Sequence, residues 1–509
     1  MKNIIFVFLL TLLIIVKNFP VPDDLQNICP NGCKKYYYCN EETKKCEFKG
    51  FFPIYPLELL QLFLLLISSS LSTSCGIGGG TIYSSILLWV EQFDPSEAFP
   101  VSNFLIFLCG IITYISFTID KYKHPNNKFV NYDMAMIFGV SMLLGTKFGA
   151  ILNKILSNFL LVIFLNALLC FTCYKTYKNI LKVKSKEKRE HLLLEKDEKM
   201  NNLITQKVSN EKNLNSPKKD KINEKKDEDD ENVEQNIIDL SLIFNNSFIS
   251  IARSSINQRN SIRQSSASEA ERIISEQNNP INWSCLYFLL SMEGIVVLDQ
   301  LLEGSEKIPS IIGIKKCSKI YWFIFFLYVI ITIYFIYYSI QKVQSDIKKK
   351  EKYLTNFKSD ISDNLAKHPI KIALVGVFAG IVSCSCGIGG GIITNPVFFS
   401  LGMDSIESSC TSNFLIIVSC LASSFIYILA GQLKIVFGLI LGGLCLSASF
   451  IGNHFILSYI NRTGKSSALL VIMEYFLLFS WIVALYKLFT VDTEGYGLIK
   501  SIFKTKDYC

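Results

Sequence analysis

Two seven-residue stretches carry the strongest chemical signal in the chain. Ser74-Cys75-Gly76-Ile77-Gly78-Gly79-Gly80 recurs 311 residues later as Ser385-Cys386-Gly387-Ile388-Gly389-Gly390-Gly391. Each is followed by a short apolar segment and an acidic turn, Phe93-Asp94-Pro95-Ser96-Glu97-Ala98 in the first case and Gly402-Met403-Asp404-Ser405-Ile406-Glu407 in the second. Then Ser102-Asn103-Phe104 is answered by Ser412-Asn413-Phe414, so that a one-residue gap aligns about thirty positions. Four glycines in five residues cannot continue a helix, and backbone N–H groups freed inside a membrane need a partner. A bound anion is one such partner, helped by the positive end of the half-helix that follows.

The candidate binding set is therefore Ser74, Cys75, Gly76, Gly78, Gly79, Gly80, Ser102 and Asn103 from the first copy. Ser385, Cys386, Gly387, Gly389, Gly390, Gly391, Asn395, Ser412 and Asn413 supply the second. Hydroxyls and amides add donors, and neither glycine motif contains a lysine or arginine, so binding there would rest on dipoles. The competing reading is that the glycines only let helices approach closely. Cys75 and Cys386 are either thiols in contact with the guest or inert apolar fillers. Four charges stand inside apolar runs, where exposure to lipid is costly: Lys147, Glu293, Asp299 and Glu474. Lys147, between Gly145 and Gly149, is placed to attract an anion, and Glu474 to carry a coupling proton. The alternative for each is a snorkelling or paired structural charge.

The elements that must position these residues are membrane helices. The 509-residue chain is 50% hydrophobic and 18% charged, and its charges are segregated into a few polar stretches. Apolar runs lie near 57–73, 81–91, 98–119, 132–152 and 157–174, then 283–302 and 319–340, then 370–384, 389–402, 411–431, 433–455 and 467–489. The expected architecture is thus an all-α polytopic membrane protein of about twelve spans, with two inverted repeats and broken helices. Runs 81–91 and 389–402 are too short to cross a hydrocarbon core of about 30 Å and read as half-helices.

The chain begins with Lys2 and an apolar run to Val16, the pattern of a cleaved secretory signal over 1–18. An extracytoplasmic segment, 19–56, crowds Cys29, Cys33, Cys39 and Cys46 together, which favours two disulfides of undetermined pairing over a zinc knuckle. With that segment outside, repeat 1 (57–174) delivers the charged, disordered loop 175–280 to the cytoplasm. The hairpin 281–340 then returns the chain to a cytoplasmic basic loop, 341–369. Repeat 2 (370–490) begins inside, opposite to repeat 1, and 491–509 is a tail. Basic loops fall on one side, as the positive-inside bias requires. The net charge of +8 is read as this orientation signal, with no nucleic-acid partner. The stretch Thr176–Met200 is a candidate charged helix extending the fifth run, and Ser254–Ser268 a candidate phosphorylation patch.

Enzyme classes find little support. The four histidines show no ligand spacing, and neither a Walker loop nor a Ser-His-Asp pattern is present. Neither a cofactor nor a metal is expected. The expected partners are a small anion, a proton and the bilayer, in the plasma membrane or an internal membrane of the secretory pathway. A non-transporting scaffold or receptor with a Cys-rich outer segment is the rival, and would lose its function on deletion of 180–275.

The paired glycine motifs, with Ser102-Asn103 and Ser412-Asn413, resemble the TauE/SafE family of sulfite-exporter-like membrane proteins. Gly145–Asn153, Phe450-Ile451-Gly452 and Arg462-Thr463-Gly464-Lys465 share the likeness. Cys317 with Tyr321-Trp322 is similar to the eukaryotic branch. The resemblance implies transport of sulfur-containing anions such as sulfite, thiosulfate or an organosulfonate, linked to protons. One departure is Pro396, which has no counterpart beside Ser84 and Ser85.

Overall fold

The computed structural model describes 37–39, 46–48, 54–73, 78–91, 93–123, 129–212, 272, 275, 279, 281–305, 308–315, 317–353, 360–463 and 467–491. The signal segment, Cys29, Cys33, the serine patch and the tail from 492 lie outside the described residues. Strands β1 (Tyr37–Cys39) and β2 (Cys46–Phe48) form a short antiparallel hairpin with Cys39 opposite Cys46 in register. The side chains of those two cysteines are not described.

Among the described residues, every regular element after the hairpin is an α-helix. The first repeat contains α1 (Pro56–Ser72), α2 (Gly80–Trp89), α3 (Pro95–Lys123), α4 (Tyr132–Ile155) and α5 (Asn158–Lys212). The linking hairpin is α6 (Trp283–Glu303) and α7 (Lys319–Tyr353), followed by α8 (Asp360–Lys367). The second repeat contains α9 (Pro369–Cys386), α10 (Gly391–Ser400), α11 (Ser405–Leu429), α12 (Ile435–Thr463) and α13 (Ser467–Val491). Eight of the described helices are long and apolar enough to cross a membrane, and α1 at 17 residues is a shorter apolar helix. Helices α2 and α10 have ten residues each, about 15 Å of rise, which is half a bilayer core.

Two expected loops are partly helical. Helix α5 runs unbroken to Lys212, beyond the extension expected to Met200. The segment 341–369, read as a basic loop, is helix through Tyr353 and again over Asp360–Lys367. Lysine and glutamate are good helix formers, and a loss of apolar residues does not by itself end a helix. The chain forms two compact units. One comprises 1–183, 279–349 and 357–509, and the other 184–278 and 350–356.

Within the first unit the two repeats interlock. Helix α4 of repeat 1 packs along α9 of repeat 2, and α12 of repeat 2 packs along α1 of repeat 1. Likewise α11 lies on α4, α12 on α3, and the matched pair α3 and α11 lie on each other. Small residues set the closest of these approaches. A Cβ on Gly145 would sit 2.9 Å from the Gly380 Cα, and one on Gly380 would meet the Met142 carbonyl. The same role falls to Gly452, where a Cβ would meet Ser70 on α1. Helices α3 and α11 start alike: the Asp94 carbonyl accepts from Ala98 N–H at 2.9 Å, and the Asp404 carbonyl from Ser408 N–H at 2.8 Å.

Candidate functional site

The glycine motifs break two helices. Helix α1 ends at Ser72 and α9 at Cys386, and the short helices α2 and α10 start from Gly79 and Gly390 as N-caps. These caps have φ of 73° and 68°, the left-handed region that a side chain disfavours, which explains glycine at both. Ser74, Cys75 and Gly76 lie outside the described residues. What is described of the two motifs meets at one point. A Cβ on Gly80 would stand 2.7 Å from the Gly387 carbonyl oxygen and 2.8 Å from Ile388 C, so backbone touches backbone. The Ser102 hydroxyl donates across the junction, to the Gly387 carbonyl at 2.7 Å and the Gly80 carbonyl at 3.1 Å.

Two isoleucines fill the rest of the crossing. Ile106 packs against Gly78, Gly80 and Gly389, and Ile416, its equivalent in the second repeat, packs against Gly78. The crossing is therefore closed in this conformation. The N–H groups of Gly389 and Gly390 find no acceptor among the described residues, whereas Gly391 N–H reaches the Gly389 carbonyl at 2.8 Å.

The paired asparagines both reach into the other repeat. Asn103 Nδ2 donates to the Cys384 carbonyl at 3.5 Å, and its Oδ1 faces Cys420 Sγ at 3.8 Å. Asn413 Nδ2 donates to the Gly110 carbonyl at 3.1 Å, and its buried Oδ1 has no partner among the described residues. Ser412 and Thr394 share a hydroxyl–hydroxyl hydrogen bond, and Ser408 Oγ donates to Asn395 Oδ1 at 3.1 Å. Cys386 is a buried free thiol 3.7 Å from Ser385 Oγ.

Sequence reasoning missed two asparagines that stand at the broken helix ends. Asn153 on α4 donates to the Ser385 carbonyl in the last turn of α9 at 3.0 Å. Asn453 on α12 donates to Thr113 Oγ1 at 2.9 Å, while Thr73 Oγ1 approaches its Oδ1 to 3.5 Å at the end of α1. The only signal was local: Asn153 ends the stretch Gly145–Asn153, and Asn453 directly follows Phe450-Ile451-Gly452, both stretches noted for other reasons. Tyr427 was missed as well; its hydroxyl donates to the Cys384 carbonyl at 2.8 Å.

The intramembrane charges gather elsewhere. Gly145 and Gly149 face α9, and Lys147 between them faces the linking hairpin. Its ammonium is held by Asp299 Oδ2 at 2.5 Å, Glu303 Oε2 at 2.6 Å and Gln300 Oε1 at 3.3 Å, all on α6, with the Tyr328 ring of α7 at 5.7 Å. Lys147 is 3% exposed. Glu474 is half-buried on α13, and its Oε2 has no partner among the described residues. Among the described residues no group of three or more His, Cys, Asp or Glu is arranged to hold a metal.

Comparison with known proteins places this architecture. Residues 3–176 and 312–480 match the family described as Sulfite exporter TauE/SafE. Two Arabidopsis thaliana relatives align over most of the chain. Sulfite exporter TauE/SafE family protein 1 is 22% identical over 418 residues, covering 80% of this chain and 79% of its own. Family protein 2 is 23% identical over 416 residues, covering 79% and 77%. No solved structure matches. Eight helices long and apolar enough to cross a membrane and a family match over both halves lead to one conclusion: the chain is an integral membrane protein of the TauE/SafE family.

Proposed function

We propose that the protein is a secondary transporter that moves a small sulfur-containing anion, such as sulfite or an organosulfonate, by alternating access. The observation that carries the reading is the meeting of the two glycine breaks, with the N-termini of two half-helices directed at one junction. Helix N-termini and unpaired glycine amides form a dipolar seat for a negative guest. The described part of the junction has no fixed positive charge, since Lys147 is taken up by Asp299 and Glu303. A seat made only of dipoles binds weakly enough to release its cargo. The names of the Arabidopsis relatives favour sulfite as the first anion to test.

In this reading the repeats run in opposite directions through the bilayer, the first entering from outside and the second from the cytoplasm. Ile106 and Ile416 close the crossing in the present conformation. Opening to either side requires them to leave Gly78 and Gly389, and the interlocked helices make that a movement of one bundle against the other.

Purified protein in liposomes should pass radiolabelled sulfite or an organosulfonate. Flux should vanish for Gly389→Leu, because φ there is 70° and a Cβ would stand 3.0 Å from Ile106 Cδ1. It should persist when Ser254–Ser268 is altered. Absence of flux with every sulfur oxyanion, sulfonate and organic anion tried would defeat the proposal.

A further inference from the structure

Helix α6 lies in the stretch that the family match skips, between residues 176 and 312, yet it brings three carboxylates into the membrane region. Two of them, Asp299 and Glu303, are bound by Lys147. The third, Glu293, is 5% exposed, and neither of its oxygens has a hydrogen-bond partner among the described residues. Lys147 has three N–H donors, and Asp299, Gln300 and Glu303 occupy all of them. Among the described residues no cation is therefore placed to balance Glu293.

An ionised carboxylate buried without a cation or donors costs several kcal/mol, far more than its neutral acid. Glu293 is accordingly a carboxylic acid in this conformation. It can lose its proton only when water or a counter-charge reaches it, that is, when the helices around α6 rearrange. Buried, unpaired acids of this kind are the usual proton carriers of membrane transporters.

Its surroundings connect it to the crossing. Helix α6 packs against α4 and α11. The charged and titratable groups on and around α6 are Lys147 of α4, which is engaged, the Cys420 thiol of α11, the Tyr328 hydroxyl of α7, and Asp299 and Glu303 of its own helix. Both Cys420 and Tyr328 lie within electrostatic reach of Glu293. Tyr328 donates to the Leu143 carbonyl of α4 at 3.2 Å. Cys420 Sγ contacts Asn103 Oδ1, and Asn103 Nδ2 reaches the Cys384 carbonyl at the broken end of α9. Cys420 and Asn103 thus link α11, which packs on α6, to the broken end of α9.

We propose that Glu293 binds one proton on one side of the membrane and releases it on the other in each transport cycle, moving it in the same direction as the anion. This rests on the transport reading above. The coupling is electrostatic. A bound anion and an ionised Glu293 would repel across a water-poor interior, so the anion-loaded protein carries the acid form. The step is one protonation and its reverse, with no other bond changed.

The test uses the full chain in liposomes, radiolabelled sulfite, and a pH-sensitive dye trapped inside. Wild-type protein should acidify the lumen as sulfite enters, and an inward proton gradient should drive accumulation. Glu293→Gln, which preserves a neutral, isosteric side chain, should lose both signals to the level of protein-free liposomes while still exchanging internal for external sulfite. Glu293→Asp should keep part of the coupling. Accumulation by Glu293→Gln at the wild-type rate overturns the assignment and leaves the transport reading intact. Wild-type protein that passes no anion overturns both. Should Glu293→Gln fail to fold, Glu293→Asp and wild-type infrared spectra decide. Uptake by the Asp variant that follows the proton gradient less steeply than the wild type supports the assignment if the spectrum contains a protonated-carboxyl band, and uptake by it that matches the wild type overturns it. A wild-type spectrum without that band refutes it.

Discussion

Removing the ammonium of Lys147 is the sharpest perturbation the structure offers. Lys147→Met keeps the length of the side chain but leaves Asp299 and Glu303, 5% and 3% exposed, as two buried carboxylates with no cation between them. Losing one partner of a buried ion pair costs about 3–5 kcal/mol, and here one cation serves two anions. The triple variant Lys147→Met, Asp299→Leu, Glu303→Met removes the charges together. Replacing a whole buried ion cluster by hydrophobic residues of similar volume is often neutral or stabilising. Thermal unfolding in detergent, followed by size-exclusion chromatography of the heated protein, measures both. The single variant should lose most of its native peak well below the wild-type transition, and the triple variant should recover most of the difference. A single variant as stable as the wild type, or a triple variant no better than the single, would refute the view that this cluster pins α6 to α4. A triple variant that is stable yet passes no anion would return Lys147 to a direct part in transport.

Three further outcomes follow from the geometry. Gly80→Ala should abolish flux while protein still reaches the membrane, since its Cβ would meet the Gly387 carbonyl at 2.7 Å and the backbone junction cannot yield; transport at wild-type rates would show that the two breaks do not touch. Asn153→Ala should lower stability by about 1–3 kcal/mol in thermal unfolding, because the buried Ser385 carbonyl loses its side-chain donor, and Asn153→Gln should not restore it. Cys317 is disulfide-bonded, so Cys317→Ser should add one alkylatable thiol to the denatured, unreduced protein when thiols are counted by mass spectrometry.

The twelve apolar runs in the sequence correspond to helices in the structure, and the short runs near 81–91 and 389–402 became α2 and α10 because glycine at φ of 73° and 68° marks their starts so clearly. Exchange of partners between the halves was not legible. Nothing local in Gly145-Thr146-Lys147-Phe148-Gly149 says that the glycines will lie on α9, more than 220 residues away, and the lysine on α6. Asn153 and Asn453 were hidden for the same reason: a single asparagine in an apolar helix has no pattern, and its meaning lies in the carbonyl or hydroxyl it meets. The basic stretch 341–369 misled because polarity was read as the end of a helix, whereas its lysines, with Gln341, Gln344 and Glu351, favour continuing one. Pairing of the intramembrane charges depended on tertiary contacts over some 150 positions, beyond the reach of spacing arguments.

The lacing of α4 onto α9 and of α12 onto α1 has a consequence for biogenesis. When the ribosome has completed α5, the glycine face of α4 has no mate, and the Ser385 carbonyl that Asn153 will bind has not been synthesised. The first half must therefore wait in the translocon's lipid surroundings, unfinished, until the charged stretch and the linking hairpin have been made. Neither half is a self-sufficient folding unit, and two halves expressed as separate polypeptides in one cell should find each other, since what each lacks is the surface the other presents.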